Sequence, residues 1–73
     1  MPATKIKERF GDRMRQLRRE KNLTQEQLAD KSGLHYTYIG VVERGVKNVS
    51  LESMEKIVKA LKISMAEFFS SFK

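Results

Sequence analysis

The stretch from residue 23 to residue 45, LTQEQLADKSGLHYTYIGVVERG, constrains the fold more than any other part of the chain. Thr24 is followed three residues later by Gln27, and this spacing is typical of a capping box that begins a helix at Gln25. The helix ends just before Gly33, because glycine supplies the permissive backbone of a sharp turn. A second helix follows at once and must cross the first at a steep angle.

The second helix, from about His35 to Arg44, has two distinct faces. Tyr38, Ile39 and Val42 lie on its inner face, at the spacing of residues that pack against a core. The opposite stripe is neither charged nor rich in strong helix formers, whereas a merely solvated face usually carries Glu, Lys or Gln. We therefore expect this outer face to contact a partner. Its members are Tyr36, Thr37, Gly40, Val41 and Arg44.

Length and charge limit the class of protein. Seventy-three residues allow a single domain, 1–73, and so small a core needs well-packed helices, association with another copy, or both. Cysteine is absent and His35 is the one histidine, so disulfides and a Cys/His zinc site are excluded. The net charge is +6, and residues 5–21 hold most of it, with eight basic residues against three acidic ones. This surplus favours nucleic acid or an anionic membrane as partner, or is simply a solvated helix face.

Membrane association has no support in the hydropathy pattern. No apolar run approaches the roughly 18–20 residues that cross a bilayer. The first ten residues, MPATKIKERF, lack the apolar middle of a signal peptide. We expect a cytoplasmic protein without a membrane partner.

A basic helix precedes the central pair. It runs from about residue 4 or 5 to residue 21, and Asn22 ends it in a left-handed conformation. Its apolar stripe is Ile6, Phe10, Met14 and Leu17. Gly11 lies inside it although glycine costs about 1 kcal/mol relative to alanine there, which a close helix crossing would explain.

Two more helices follow the central pair. Ser50 caps the fourth, and Ser64 with Glu67 forms a second capping box that opens a short fifth helix. The fourth has a broad apolar stripe of Leu51, Met54, Ile57, Val58 and Leu61. The fifth carries Met65, Phe68, Phe69 and Phe72. Three phenylalanines in the last six residues are more than one short helix buries easily, so we expect a two-fold homodimer through the fourth and fifth helices.

The whole pattern resembles a known family. Two short helices joined by a glycine turn form the helix-turn-helix unit, here at about residues 24–44. The run LTQEQLADKSGL…YI…VERG, followed by N-x-S-L-x-x-x-x-K-I-x-K-A-L, closely resembles the phage-repressor (Cro-like) family of transcription regulators, also called the xenobiotic-response-element family. This resemblance covers about residues 10–69 and implies an all-α, compact five-helix lambda-repressor-like DNA-binding domain. The short length and the run TYI…ERG…KNVSLES also look like the controller proteins of restriction–modification systems.

The resemblance implies a role for individual residues. In such proteins the second helix of the unit enters the major groove. The matching positions imply base contacts by Tyr36, Thr37 and Val41, and phosphate contacts by Gln25, Arg44, Lys47 and Asn48. Arg18 and Glu43 match an ion pair that fixes the angle of the second helix. Gly40 shares the outer face, as a tolerated defect or as a point of close approach to the bases; we place it with the base contacts.

The base-reading positions depart from the family pattern. Family members often carry Gln, Asn, Arg or Ser there, which form paired hydrogen bonds to bases. Thr37 and Val41 offer methyl groups that suit the thymine methyl, and the Tyr36 hydroxyl reaches a base edge or a phosphate. We therefore expect groove shape and DNA bending to supply much of the specificity.

The resulting hypothesis is a sequence-specific DNA-binding regulator. As a homodimer it would place two recognition helices roughly 34 Å apart on a pseudo-palindromic operator, where it blocks or recruits RNA polymerase. The alternative is a protein-interaction module such as an antitoxin, with the apolar last helix as its docking face. An enzyme is disfavoured, since no catalytic triad, phosphate-binding glycine loop or carboxylate pair is evident. No cofactor, metal or small-molecule ligand is implied.

Overall fold

The computed structural model describes residues 5–72, and this part of the chain contains five α-helices joined by short loops. They are α1 (Lys5–Glu20), α2 (Gln25–Ser32), α3 (Tyr36–Glu43), α4 (Leu51–Ala60) and α5 (Met65–Phe68). Within that range there is no β-strand. The predicted all-α, five-helix class is confirmed.

The helix ends follow local hydrogen-bonding chemistry. Asn22 has a φ of 59°, the left-handed conformation expected after α1. The Thr24 capping box is complete: the Gln27 backbone N–H donates to Thr24 Oγ1 at 3.0 Å, and the Thr24 N–H donates to Gln27 Oε1 at 2.8 Å. The second predicted box is only half formed. Ser64 Oγ accepts the Glu67 N–H at 3.0 Å, but the Glu67 side chain does not reach back, so Ser64 is a simple N-cap.

The core is formed by every helix and contains most of the predicted apolar stripes. Its buried members are Phe10, Met14, Leu17, Leu28, Ala29, Ile39, Val42, Ile57, Val58, Leu61 and Phe68. Two residues predicted to point inward do not. Ile6 is 53% exposed and Leu51 is 76% exposed, because each lies in the first turn of its helix, before the part that the other helices cover.

A close crossing of α1 and α3 explains the glycine inside α1. A Cβ at Gly11 would collide with the carbonyl oxygen of Val42 and lie 2.9 Å from that of Glu43. The backbone at the end of α3 therefore rests directly on α1, where a side chain would push it away. This contact sets the depth at which α3 lies on the domain.

The short α5 is held to α1 by an arginine. Arg13 Nε donates to the Phe68 carbonyl at 2.8 Å, and Arg13 Nη2 donates to the Glu67 carbonyl at 2.9 Å. A cation that satisfies the last carbonyls of a helix also opposes the negative end of its dipole. Four residues of helix are marginal alone, so α5 depends on this contact and on burial of Phe68.

Candidate nucleic-acid interface

The turn between α2 and α3 is built as the sequence predicted. Gly33 has a φ of 77°, and its N–H donates to the Ala29 carbonyl at 2.9 Å. His35 then caps α3, since its Nδ1 accepts the Thr37 N–H at 3.1 Å. α3 is one residue shorter at each end than predicted, because His35 and Arg44 are its caps.

The outer face of α3 is open to solvent in its larger part. Tyr36 is 53% exposed, Thr37 and Arg44 are also exposed, and Gly40 and Val41 are half-buried. The Tyr36 ring stacks on the imidazole of His35, with centroids 5.0 Å apart. This stacking limits the positions of the phenol, so Tyr36 is partly ordered before any partner arrives.

A buried ion pair anchors α3 to α1. Arg18 Nε donates to Glu43 Oε2 at 2.6 Å, and Arg18 Nη2 donates to Glu43 Oε1 at 3.0 Å. Arg18 Nη1 also donates to the Leu23 carbonyl at 2.7 Å, just before α2 begins. One guanidinium therefore joins the end of α1, the start of α2 and the end of α3. The planar fork of arginine suits such a bidentate contact.

Arg15 is a second anchor that the sequence analysis did not single out. Its Nη2 donates to the Glu43 carbonyl, and its Nε lies 3.6 Å from Glu43 Oε1. It lies four residues after Gly11 and three before Arg18, so all three residues share one side of α1. That spacing was the available signal, but basic residues on both sides of it concealed the pattern.

Gln25 is joined to the same carboxylate. Its Nε2 donates to Glu43 Oε1 at 3.1 Å, although Gln25 begins α2 and Glu43 ends α3. A residue predicted to contact phosphate and a residue predicted to be structural are thus in direct contact. The contact joins the start of α2 to the buried C-terminal end of α3.

The loop after α3 presents the remaining predicted phosphate contacts. Gly45 follows the C-cap of α3 with a φ of 78°, and Lys47 and Asn48 are exposed beyond it. Lys47 Nζ lies 5.6 Å from the centroid of the Tyr38 ring, a cation–π distance. Lys47 is therefore held beside α3.

The basic surplus of α1 is partly structural. Arg15 and Arg18 bind Glu43, and Arg13 binds the carbonyls that end α5. These three cations are occupied within the domain. Fewer of the basic side chains of α1 are therefore free to contact a partner than their count indicates.

The proposed dimer surface needs one correction. Phe68 is fully buried inside the domain, with its ring 4.7 Å from that of Phe10, so it has no surface to offer a partner. Met65, Phe69 and Phe72 are half-buried. Arg9 lies over the Phe72 ring at 4.6 Å from its centroid.

An apolar groove extends this surface. It encloses about 70 Å³, and its apolar lining includes Ile6, Val49, Met54 and Phe69. Lys7, Lys47 and Asn48 also line it. Ile6 is the most exposed of the four apolar residues. An open apolar groove beside partly exposed phenylalanines is the kind of surface that a second chain covers.

Neither a membrane span nor a metal cluster occurs in residues 5–72. No helix there is long and apolar enough to cross a bilayer. In the same range, no three His, Cys, Asp or Glu side chains are grouped so that they could hold a metal ion.

Comparison with known proteins places the chain in a family. The helix-turn-helix family model matches residues 14–68. The chain is 55% identical to the control protein C.BamHI of Bacillus amyloliquefaciens over 53 residues, which are 71% of this chain and 65% of that protein. It therefore spans slightly less than two thirds of that relative.

Two solved structures are similar to this chain in both sequence and fold. The restriction–modification controller protein C.AhdI from Aeromonas hydrophila matches with a TM-score of 0.84 and 49% identity, over 86% of this chain and 96% of that one. The controller protein C.Esp1396I, solved as a tetramer in complex with its natural 35-base-pair operator, matches with a TM-score of 0.84 and 39% identity, over 88% of this chain and 84% of that one. The chain belongs to the helix-turn-helix family and, within it, to the restriction–modification controller proteins. The family resemblance predicted from the sequence is confirmed.

Proposed function

We propose that this protein is a sequence-specific DNA-binding regulator of transcription, which acts as a homodimer on a pseudo-palindromic operator and controls restriction–modification genes. The observation that carries the proposal is the outer face of α3. This face takes little part in the core and is open to a partner. The buried carboxylate of Glu43 holds the C-terminal end of α3 in place. The similar C.Esp1396I binds its operator as a tetramer, and this supports both DNA binding and self-association for the present chain.

The base contacts in this proposal come from the outer face of α3. Tyr36 and Thr37 lie in its first turn, the part of a recognition helix that reaches base edges. Val41 lies one turn further on and offers methyl groups to a thymine methyl. Gly40 lies between these residues, where its lack of a side chain leaves room for the DNA.

The phosphate contacts come from the rim of the same face. Arg44 and Lys47 supply positive charge, and Asn48 supplies an amide donor beside them. Gln25 contributes through the first turn of α2, whose backbone N–H groups and dipole favour an anion. Its side-chain NH2 is already engaged with Glu43.

The dimer in this proposal forms through the apolar surface beside α5. Met65, Phe69 and Phe72 keep partial exposure, and the groove that Ile6 lines continues from Phe69. Two-fold symmetry places two α3 helices in successive major grooves, roughly 34 Å apart. At a promoter in the cytoplasm, such a dimer blocks RNA polymerase or recruits it, according to where the operator lies. The function is binding alone, without a catalytic step.

A binding titration tests the proposal. The protein is titrated on DNA upstream of its own gene and on a scrambled duplex, each at two salt concentrations. We expect tighter binding to the upstream DNA and a steep loss of affinity with salt, because cationic side chains displace counterions from the phosphates. Equal affinity for both duplexes would contradict the proposal.

A further inference from the structure

Four glycines occur in the chain, and the protein's own geometry explains three of them. Gly11 leaves room for the carbonyls that end α3. Gly33 and Gly45 have φ values of 77° and 78°, which L side chains rarely adopt. Gly40 has neither reason, since a Cβ there would meet only ordinary van der Waals neighbours and its φ is not positive.

Gly40 therefore lowers the stability of α3, and the fold gives no reason for a glycine at this position. It lies inside an eight-residue helix, where glycine is less stable than alanine. The nearest atoms to its missing Cβ are Arg44 Nη1 at 3.6 Å and Gln25 Oε1 at 3.8 Å. The glycine leaves a gap in the outer face of α3. The Arg44 guanidinium, a hydrogen-bond donor, borders the gap on one side, and the Gln25 amide oxygen, an acceptor, borders it on the other.

The orientation of the Gln25 amide follows from its partner. A carboxylate accepts hydrogen bonds and donates none, so the Gln25 NH2 must face Glu43 and the Gln25 oxygen must face away. That oxygen is the atom beside the gap at Gly40. It is an acceptor, and a phosphate oxygen, which is also an acceptor, cannot bond to it.

We propose that Gly40 determines specificity by its lack of a side chain, because the edge of a base pair enters this gap and places an exocyclic amine against Gln25 Oε1. In the major groove such amines are N6 of adenine and N4 of cytosine. Arg44 Nη1 on the other side of the gap suits a neighbouring acceptor of the same edge or of the backbone. This inference rests on the proposed DNA-binding function and gives the Gln25 side chain a base-reading role.

The first experiment separates stability from recognition at Gly40. The wild-type protein selects its preferred duplex from a random pool, and Gly40→Ala is then compared on that duplex and on a scrambled one. We expect the melting temperature of the variant to rise by roughly 4–8 °C, because alanine is the better helix former. We expect its affinity for the selected duplex to fall at least tenfold, while its affinity for the scrambled duplex stays within twofold.

The second experiment tests the amide oxygen. The selection is repeated with Gln25→Leu, which keeps much of the side-chain volume, and its fold is checked by thermal melting. We expect one position of each half-site to lose its preference. The base pair that the wild-type protein selects there identifies the amine, as N6 of adenine for A·T or N4 of cytosine for G·C. An affinity loss that is uniform across sequences would instead indicate a backbone contact and overturn the inference.

The outcomes distinguish this inference from the proposed function. A Gly40→Ala variant that binds the selected duplex within twofold of the wild type would overturn the inference and leave the proposed function intact. A wild-type protein that enriches no sequence from the pool would overturn both.

Discussion

Arg18 and Glu43 form a bidentate ion pair between α1 and the last residue of α3, with oxygen–nitrogen distances of 2.6 and 3.0 Å. The side chains are 11% and 2% exposed. A buried pair of this kind gains little net stability over apolar residues, but loss of one partner leaves the other charge buried and unpaired. Its main effect is therefore to hold the recognition helix at one angle.

A double-mutant cycle checks this interpretation of the pair. We expect Glu43→Leu, which leaves the Arg18 guanidinium buried without a carboxylate, to lower the free energy of unfolding by about 3–5 kcal/mol. Arg18→Met should cost less, because Arg15 and Gln25 still contact the Glu43 carboxylate. The double variant should lose much less than the sum of the two, because no charge is then left buried alone. Urea unfolding measures all four proteins. Strictly additive losses would mean that the two side chains act independently.

Arg15→Ala tests the second anchor, with Arg19→Ala as the matched control. Both remove one positive charge from α1, but Arg19 is exposed and Arg15 contacts Glu43. We expect Arg15→Ala to lower the ratio of specific to non-specific affinity, because the end of α3 loses a contact. Arg19→Ala should leave that ratio unchanged. An equal effect of both variants, measured on operator and scrambled duplexes, would show that Arg15 contributes charge alone.

The proposed phosphate contacts of Arg44 and Lys47 give a prediction about the salt dependence of DNA binding. For the dimer, Arg44→Ala and Lys47→Ala should each reduce the slope of log affinity against log salt concentration by about 2, because each of the two protomers loses one phosphate contact and one fewer counterion is released per contact. The loss of affinity should be similar on all sequences. Lys56→Ala on α4 is the control for net charge, with an unchanged slope expected. A series of titrations at four salt concentrations decides between contact and simple charge.

The dimer surface is tested by residues that differ in burial. The Phe69→Ser/Phe72→Ser protein should be monomeric by light scattering and should bind operator more weakly. Ile6→Ser should also weaken the dimer while it keeps the fold, because Ile6 is 53% exposed within the domain. Dimers unchanged by these substitutions would place the interface elsewhere.

Phe68→Ala serves as the contrast for that experiment. Phe68 is fully buried, so its truncation should lower stability by about 3–5 kcal/mol through a cavity in the core. Because α5 depends on burial of Phe68, the dimer constant of this variant should fall in step with its loss of stability, whereas Ile6→Ser should weaken the dimer at nearly unchanged stability. Chemical denaturation and light scattering on the same samples separate the two effects.

Features determined by short-range chemistry were predictable from the sequence. The Thr24 box, the Gly33 turn and the Asn22 helix end depend on residues within a few positions of one another. The core stripe of α1 was also predictable from Phe10 onward, because helical periodicity places those side chains together.

Most features determined by contacts between helices were not predictable, although the crossing at Gly11 and the pairing of Arg18 with Glu43 were. Whether Ile6 or Leu51 is covered depends on where another helix ends, and periodicity carries no such information. The same holds for Phe68, whose complete burial reflects how α5 meets Phe10. Arg15 looked like one more surface cation because its partner lies 28 residues away. At the outer face of α3 the sequence indicated exposure, while the direction of the Gln25 amide required the Glu43 contact.

Gly11, Arg15 and Arg18 lie on one side of α1 and together hold the end of α3. Their contacts with α3 are to Val42 and Glu43, which do not belong to the outer face of α3. In the proposed function, substitutions at Tyr36, Thr37 or Val41 would therefore alter the DNA sequence that is recognised without loosening the attachment of α3 to α1. Homologues with this domain would then be able to acquire new operator specificities through a few substitutions of exposed residues, while α3 keeps its position.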